Sequence, residues 1–371
     1  MNARERLFAV LNGEPTDHTP IWLLFPYHQT AYYADVRSEP SYRLVFEASK
    51  KCAIMLNRRN PHVRLFAPDV HERIENVAEG DERIERRSLE YKGKRIFSET
   101  RRGRHGSTVK KLLCSDDDLE FYCSLPLNLD ADAINAEMDS QAPVYLQERA
   151  EFPSEYGAMM LDLGEPIGVL YGVSQLEDYA IWSLTHADVV VDFLSRVQQQ
   201  KRIVYRYCLE RNLAEVYFMV GSELACPPLV SRAAFNKWAV PFARDLIRLI
   251  HSYGAKVIQH HHGEIKGIVP DFLTMGADAL HTIEAPPIGD CTFTEAFTIT
   301  GDKMVLIGNV QYDEFRELTP AQMAEAVRTV LDECRGKRHI LSPSAGPYEE
   351  TISEHMAENY LAFMKAGWEY C

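Results

Sequence analysis

The chain has 371 residues, 46% of them hydrophobic, and a formal net charge of −14 from 40 basic and 54 acidic side chains. This charge disfavours nonspecific binding to nucleic acid or to an anionic membrane, because both partners require a basic face. No apolar run approaches the roughly 18 residues of a membrane span, and the N-terminus lacks the apolar block of a signal peptide. The eight cysteines form no C-x-x-C pair. We therefore expect a cytoplasmic protein with reduced thiols.

The N-terminal part of the chain mixes helix, strand and hairpin patterns. Residues 2–13 have apolar side chains at helical spacing before a glycine, and residues 20–25, PIWLLF, are typical of a buried strand. In residues 83–113 polar and apolar residues alternate around glycine-containing turns, which predicts short antiparallel hairpins. This stretch is too short and too charged to have its own core. We therefore expect a small β excursion from a single domain that spans residues 1–371.

After residue 130, strand and helix patterns alternate along the chain. The predicted strands are residues 164–172, 214–223, 255–261, 277–284, 303–309 and 339–344. The predicted helices are residues 186–211, 231–254, 264–276, 319–336 and a last helix ending at Gly367. Such alternation indicates a parallel sheet with crossover helices, and the number of repeats favours one closed α/β barrel, the (β/α)8 or TIM barrel.

Polar side chains gather where the predicted strands end, at the rim that carries the chemistry of such barrels. They are Glu223, His260, His262, His281, Glu284, Asn309, Ser342 and Ser344. Five successive strands therefore supply ionisable or polar groups to one rim.

The sequence QHHHG predicts a metal site. Residues two apart on a strand point the same way, so His260 and His262 share a face and His261 faces the other side. Glu284 ends the next predicted strand, and adjacent strands lie about 5 Å apart. These three side chains can therefore reach one divalent ion, with zinc the best match to the ligand types. The alternative is that the histidines are ordinary rim residues and that Glu284 pairs with a nearby cation.

Two more rim residues have open roles. His281 lies three residues before Glu284, so on a continuous strand the two would point oppositely and His281 would belong to the core. Glu223 could be a fourth ligand, a hydrogen-bond support for a histidine, or a plain ion-pair partner.

At this point the sequence resembles the uroporphyrinogen decarboxylase superfamily. The resemblance begins with RERLFAVLNGEPTDHTPI and GEPIGVLYG, and is strongest in residues 217–367. There QHHHG, MGADALHTIE, GNVQ, LSPSAGP and ENYLAFMKAG follow the family's order. The resemblance implies a single (β/α)8 barrel, often a homodimer, with its site at the C-terminal rim.

One branch of the superfamily decarboxylates a tetrapyrrole. In that branch the loop after the first strand has a sequence similar to RQAGRY, and its arginines hold substrate carboxylates. Here that loop is FPYHQTAYY, with no arginine before Arg37, and Asp69 is the one candidate for the branch's aspartate. Without those cations the carboxylates of such a substrate would be unpaired, so this reading is disfavoured.

The other branch, which this chain also resembles, transfers methyl groups, usually with zinc. Its members have H-x-C at the end of the strand that corresponds to residues 255–261, and a cysteine after the last strand. Cobalamin-independent methionine synthase, a related barrel, adds a glutamate on the next strand. His260 matches the histidine, His262 stands in the place of the cysteine, and Glu284 matches the glutamate. Serines replace the late cysteine. The nitrogen and oxygen ligands of His260, His262 and Glu284 are harder than thiolate ligands, and they would also suit iron(II).

The resemblance therefore implies a metal-dependent methyltransferase that moves a methyl group from a small O-, N- or S-methyl substrate to a corrinoid or thiol acceptor. With no D-x-H-x-x-G run in the sequence, a corrinoid would be carried by a partner protein. A tetrapyrrole decarboxylase and a non-catalytic corrinoid- or tetrapyrrole-binding barrel are the alternatives. The candidate catalytic residues are Glu223, Tyr171 and His28. The candidate substrate-binding residues are Phe25, Tyr27, Asn309 and Ser344.

Overall fold

The computed structural model describes residues 1–104 and 106–370, and the predicted excursion's His105 and the terminal Cys371 lie outside them. Within the described residues, eight parallel strands close into a barrel in the order β1, β12, β11, β10, β9, β8, β7, β2. The barrel strands are β1 (Ile21–Trp22), β2 (Ala53–Arg59), β7 (Gly157–Leu161), β8 (Val216–Met219), β9 (Lys256–His260), β10 (Ala279–His281), β11 (Val305–Val310) and β12 (His339–Pro343).

Helices connect these strands and surround the barrel, as the sequence predicts for a (β/α)8 fold. They are α1 (Ala3–Asn12), α2 (Arg43–Cys52), α3 (Asp116–Ser124), α4 (Ala131–Glu151), α5 (Gly168–Tyr171), α6 (Leu176–Thr185), α7 (Ala187–Glu210), α8 (Arg232–Trp238), α9 (Val240–Ser252), α10 (Val269–Met275), α11 (Phe293–Thr300), α12 (Glu314–Glu317), α13 (Pro320–Glu333) and α14 (Glu354–Glu369). Short 3-10 helices occupy Pro40–Tyr42, Ser154–Tyr156 and Ser222–Ala225. The helices that the structure describes are too short or too polar to cross a membrane.

A small antiparallel sheet leaves the barrel after β2. Its strands are β3 (His71–Glu79), β4 (Glu82–Tyr91), β5 (Lys94–Gly103) and β6 (Gly106–Lys110), paired in that order. The predicted excursion is confirmed, but it starts at His71 rather than at residue 83. The first strand is exposed along nearly its whole length, so no buried apolar alternation marks it in the sequence.

The side chain of Gln200 on α7 ties down the stem of this sheet. Its amide nitrogen lies 3.0 Å and 3.1 Å from the carbonyl oxygens of Arg64 and Leu65, which precede the sheet. It also lies 2.7 Å from the carbonyl oxygen of Asn128, which follows the sheet. One buried amide group therefore holds both ends of the excursion against the barrel.

The barrel interior has its own apolar core, to which Trp22, Ile54, Ile258 and Ile307 belong. Helix α1 closes the N-terminal end of the barrel, because its apolar residues, Leu7 among them, join this core. A larger core fills the space between the barrel and its helices. Access to the interior is therefore from the C-terminal end, where the strand-end residues lie.

Two elements differ from the sequence prediction. Residues 164–172 form a loop and helix α5 rather than a strand, and the strand is the preceding stretch, β7. A short apolar run does not by itself distinguish strand from helix, and Gly164, with φ of 63°, turns the chain just after β7. The helix predicted for residues 231–254 is interrupted at Ala239, because Pro241 lacks the N–H that would continue it.

Candidate active site

Two histidines meet inside the barrel mouth. His260 ends β9 and is the direct neighbour of His281, which ends β10. Each lies two residues beyond a member of the interior core, Ile258 and Ala279, so both face the barrel axis. Their Nδ1 atoms are 2.8 Å apart, and their rings are stacked at 16° with centroids 5.0 Å apart. His281 is buried, as the sequence analysis expected, but on the barrel side.

The hydrogen bonds of this pair determine where its protons lie. The Nε2 atom of His281 lies 3.3 Å from the carbonyl oxygen of Pro343, which can only accept. His281 therefore carries its proton on Nε2, and its Nδ1 accepts a hydrogen bond from Nδ1 of His260. Nε2 of His260 is left with a free lone pair. Burial lowers the pKa of His260 well below 6.5 and that of His281 to about 3, so both rings are neutral.

The surroundings of His262 shift its pKa in the opposite direction. Its Nδ1 lies 3.3 Å from a carboxylate oxygen of Glu284, whose other oxygen accepts the N–H of Gly263 at 2.7 Å. Burial alone would lower the pKa of His262, but the Glu284 carboxylate outweighs it and raises the pKa above its usual 6.5. The rings of His260 and His262 contact each other edge to face, with centroids 4.5 Å apart. A histidine whose burial favours the neutral form therefore neighbours one whose carboxylate partner favours the protonated form.

Glu223 supports this loop through the backbone. Its carboxylate accepts the N–H of His262 at 3.2 Å, and burial raises the pKa of this carboxyl group. On the outer side of the strand, Nε2 of His261 lies 3.1 Å from Sγ of Cys226. Of the roles open for Glu223, the contacts favour that of a support for a histidine, made to the main chain rather than to the ring.

The predicted ligands His260, His262 and Glu284 are near one another but do not form one ligand set. His260 directs Nδ1 toward His281, while His262 directs Nδ1 toward Glu284. Among residues 1–104 and 106–370, no group of three or more His, Cys, Asp or Glu side chains is arranged so that it could hold a metal ion. In this arrangement the donors do not fit a zinc ion, although their chemical types suit one.

A buried ion pair, not anticipated from the sequence, lies on the other side of the mouth. Arg58 and Asp162 are 2.5 Å apart, with side chains 9% and 6% exposed. The guanidinium also donates to the hydroxyl oxygen of Tyr33 at 3.2 Å and lies 4.9 Å from the ring centroid of Phe218. Phe218 contacts His260, with centroids 5.0 Å apart. The ion pair therefore adjoins the histidines through one aromatic ring.

Phe25 and Tyr27, predicted to bind substrate, pack among the helices instead. Phe25 is fully buried against Tyr42 and Tyr360, and Tyr27 packs against Phe152, which follows α4. The reason is that Leu24 has φ of 61°, an uncommon left-handed conformation that changes the direction of the chain after β1.

His28 and Tyr171, predicted to be catalytic, are also outside the mouth. The backbone N–H of His28 donates to the side chain of Asn57 at 2.8 Å, and its ring lies 3.4 Å from the carboxylate of Glu151 on α4. Tyr171 packs edge to face on Tyr179 of α6, with centroids 5.5 Å apart. These contacts place both residues in the helix layer, and their catalytic roles stay predictions from the sequence.

Asn309 and Ser344 differ in their access to the mouth. Asn309 lies on β11 opposite Ser342 of β12 and is half-buried, two residues beyond the interior residue Ile307. Ser344 is buried, and its hydroxyl donates to the side chain of Gln311 at 3.0 Å. Asn309 can therefore contact a ligand in the mouth, while Ser344 holds a loop.

A buried carboxyl group, Glu165, was also missed by sequence reasoning. It accepts hydrogen bonds from the hydroxyl of Ser222 at 2.9 Å and 2.7 Å, and from the amide of Gln259 at 3.3 Å. Burial raises the pKa of Glu165 to about 7. The available signal was an acidic residue four positions after a fully apolar strand, in the sequence LDLGEP.

Comparison with known families agrees with this architecture. A model of the uroporphyrinogen decarboxylase family matches residues 171–367, more than half of the chain. The chain belongs to the uroporphyrinogen decarboxylase family. The match includes the three strands that carry His260, His281 and Asn309 to the mouth of this family member.

A solved methyltransferase structure shows the same fold. A methyltransferase from Methanosarcina mazei is similar with a TM-score of 0.60 and 15% sequence identity, over 99% of this chain and 98% of that one. A B12-independent methionine synthase from Shewanella sp. W3-18-1 is similar with a TM-score of 0.46 and 10% identity, over 94% and 96%. No curated protein matches the sequence.

Proposed function

We propose that this uroporphyrinogen decarboxylase family member is a methyltransferase. It would move a methyl group from a small O-, N- or S-methyl substrate to a thiol, or to a corrinoid on a partner protein. The observation that carries the proposal is the contact at the barrel mouth between His260, whose burial favours the neutral form, and His262, whose pairing with Glu284 favours the protonated form. The likeness in fold to a methyltransferase from Methanosarcina mazei supports it.

The chemistry of methyl transfer explains why such a pair is useful. A methyl group on oxygen, nitrogen or sulfur leaves readily only when its leaving atom gains a proton or another electrophile. Glu284 raises the pKa of His262 and so favours its charged form, which can donate that proton. Environments that push the pKa values of two neighbouring groups apart assign one as the acid and the other as the base. His262 is then the general acid.

His260 is the matching base when the acceptor is a thiol. Its Nε2 lone pair can take the thiol proton, while the bond from methyl to the leaving atom breaks and a bond from methyl to sulfur forms. The proton of His262 moves to the leaving atom, so atoms and charges balance. With a reduced corrinoid as the acceptor there is no thiol proton to remove, and His262 alone is required.

A zinc ion held by His260, His262 and Glu284 stays a prediction from the sequence. No step above uses it, because the donors are not arranged as one ligand set. Elemental analysis of protein purified without a chelator tests it. About one equivalent of zinc, lost in His260→Ala, would support the prediction, and protein without metal would contradict it.

The decisive experiment measures methyl transfer to reduced cobalamin and to a small thiol, from a panel of methyl ethers, methylamines and methyl thioethers. We expect turnover by the unaltered protein with at least one donor, and a loss of about 10²–10⁴-fold in His262→Asn. The matched control is His251→Asn, because His251 pairs with Asp278 before β10 rather than at the mouth. Equal rates in His262→Asn and the unaltered protein would refute the proposed acid.

A further inference from the structure

A cavity of about 500 Å³ opens beside the barrel mouth. Its lining includes Tyr32, Asn60, Asp162, Lys201 and Val220. It lies between the chain segments that follow β2, β7 and β8. Its volume is within the usual range for small-molecule sites, about 300–1,000 Å³.

This cavity adjoins the candidate active site through a shared residue. Asp162 lines it and at the same time pairs with Arg58 in the barrel mouth. The Arg58 guanidinium in turn lies over Phe218, whose ring contacts His260. A molecule that fills the cavity is therefore separated from the histidines by one ion pair and one ring.

Lys201, on α7, brings a cation to the wall of the cavity without a counter-ion. An ammonium group has three N–H donors, and the ammonium of Lys201 donates to the carbonyl oxygen of Leu163. Among residues 1–104 and 106–370, no carboxylate lies within 4.0 Å of it. Burial lowers the pKa of Lys201, as expected for an enclosed ammonium group that lacks a partner.

The two nearby acidic side chains are both held by other groups. Asp162 is bound to Arg58 at 2.5 Å. Glu165 accepts hydrogen bonds from Ser222 and Gln259, and its burial favours the protonated form. Their charges partly oppose the effect of burial on Lys201, but neither forms an ion pair with it, so Lys201 at the cavity wall has no ion-pair partner among the described residues.

Gly164 keeps the space next to this ammonium open. A Cβ atom added at Gly164 would lie 3.5 Å from Nζ of Lys201. The φ of Gly164 is +63°, a conformation that glycine adopts without strain. The backbone turn after β7 therefore leaves room for a ligand group against the lysine.

We propose that Lys201 binds an anionic group of the substrate, so that the substrates of this protein are small methylated molecules with a carboxylate, sulfonate or phosphate group. The anion would supply the ion-pair partner that the partly buried ammonium lacks. The cavity would then hold the anionic end while the methyl group faces the histidines. This inference rests on the proposed methyl transfer for its choice of substrate, but binding of the anion can be measured without any turnover.

The test is isothermal titration calorimetry at pH 7 with three anions: methoxyacetate, methanesulfonate and monomethyl phosphate. Methoxyacetamide serves as the neutral counterpart of methoxyacetate. We expect the unaltered protein to bind at least one anion and not the amide. Lys201→Met should weaken this binding at least tenfold, and Lys201→Arg should retain most of it. Which of the three anions binds best identifies the class of anionic group.

The control is Lys237→Met, because Lys237 is an exposed lysine on α8, and it should bind as the unaltered protein does. Circular dichroism checks the fold of Lys201→Met, with Lys201→Gln as a second uncharged variant. Equal binding by Lys201→Met and the unaltered protein, or no binding of any of the three anions, would overturn the inference. If anion binding depends on Lys201 but the protein has no methyltransferase activity, the anion subsite is supported and the proposed function is refuted.

Discussion

The Nδ1 atom of His260 lies 2.8 Å from the Nδ1 atom of His281 on the neighbouring strand. Two neutral imidazoles can share this short contact only if one donates and the other accepts. The carbonyl oxygen of Pro343 requires His281 to keep its proton on the far nitrogen. His281 thereby determines which nitrogen of His260 is free for chemistry.

The first prediction concerns this positioning role. Replacing His281 by Ala removes the acceptor for Nδ1 of His260, so the ring of His260 can turn or change tautomer. We expect methyl transfer to a thiol to fall about 100-fold. His281→Gln keeps an acceptor oxygen and should lose less than about tenfold. Equal rates in His281→Gln and His281→Ala would show that the hydrogen bond from His260 does not determine the rate of methyl transfer. Rates and pH profiles of both variants make the measurement.

The second prediction concerns the ion pair of Arg58 and Asp162. Asp162→Asn leaves a buried guanidinium without its counter-charge, which typically costs about 3–5 kcal/mol. The free energy of unfolding from urea titrations should fall by that amount. The double variant Arg58→Met with Asp162→Leu removes both charges and should be less destabilised than Asp162→Asn alone. The opposite ranking would contradict the assignment of this pair as a desolvated one.

A third prediction follows from Glu165, whose pKa is raised from 4.5 to about 7 by burial. Because the folded state holds this proton more tightly than the unfolded chain does, the free energy of unfolding falls as pH rises from about 4.5 to about 7. The fall is up to about 3 kcal/mol. Glu165→Gln should remove this part of the pH dependence and be relatively more stable at pH 8. Urea titrations across pH 4.5–8 test it, with the exposed Glu358→Gln as a control that should follow the unaltered protein.

The fourth prediction concerns the charge on His262. Glu284→Gln removes the carboxylate that raises the pKa of His262. Burial then dominates, and the pKa of His262 should fall to or below its ordinary value of 6.5. A pH titration of the histidine ring signals by NMR measures this change. An unchanged pKa of His262 in Glu284→Gln would mean that another group keeps it protonated.

The fifth prediction is that the protein does not decarboxylate uroporphyrinogen. The stretch after β1 supplies no arginine before Arg37, and Arg37 lies over the ring of Tyr27 in the helix layer. Asp69, the one candidate from the sequence for a decarboxylase aspartate, is exposed on a loop before β3. Incubation with uroporphyrinogen should release no carbon dioxide above background. Stepwise decarboxylation would reverse the ranking of the two branches.

The barrel and the place of its site could be predicted from the sequence, because both depend on patterns within single elements. Apolar strands alternating with capped helices predict the fold, and polar residues at strand ends predict the rim. His260, which ends β9, and His262, two residues beyond that strand, do lie together, with ring centroids 4.5 Å apart. The orientation of Glu284 could not be predicted, because β10 ends at His281 and Glu284 belongs to the following loop. The two-residue alternation does not extend beyond the strand.

The remaining errors have a common physical cause. The directions of Phe25 and His28 depend on the left-handed turn at Leu24, which a leucine gives no reason to expect. The pairing of Arg58 with Asp162 depends on which strands become neighbours, since β2 pairs with β7 across more than ninety residues of chain. Both the side-chain directions and the ion pair depend on tertiary structure, and neither can be predicted from a local sequence pattern.

The hydrogen bonds of the Gln200 side chain affect which parts of the chain can change in length during evolution. Because Gln200 fixes the segments before and after the antiparallel sheet to helix α7, the barrel is insulated from whatever lies between them. Doubling the length of a flexible loop between fixed ends costs only about 0.6 kcal/mol in closure entropy. Insertions and deletions between β3 and β6 should therefore be tolerated more readily than a change of this one glutamine.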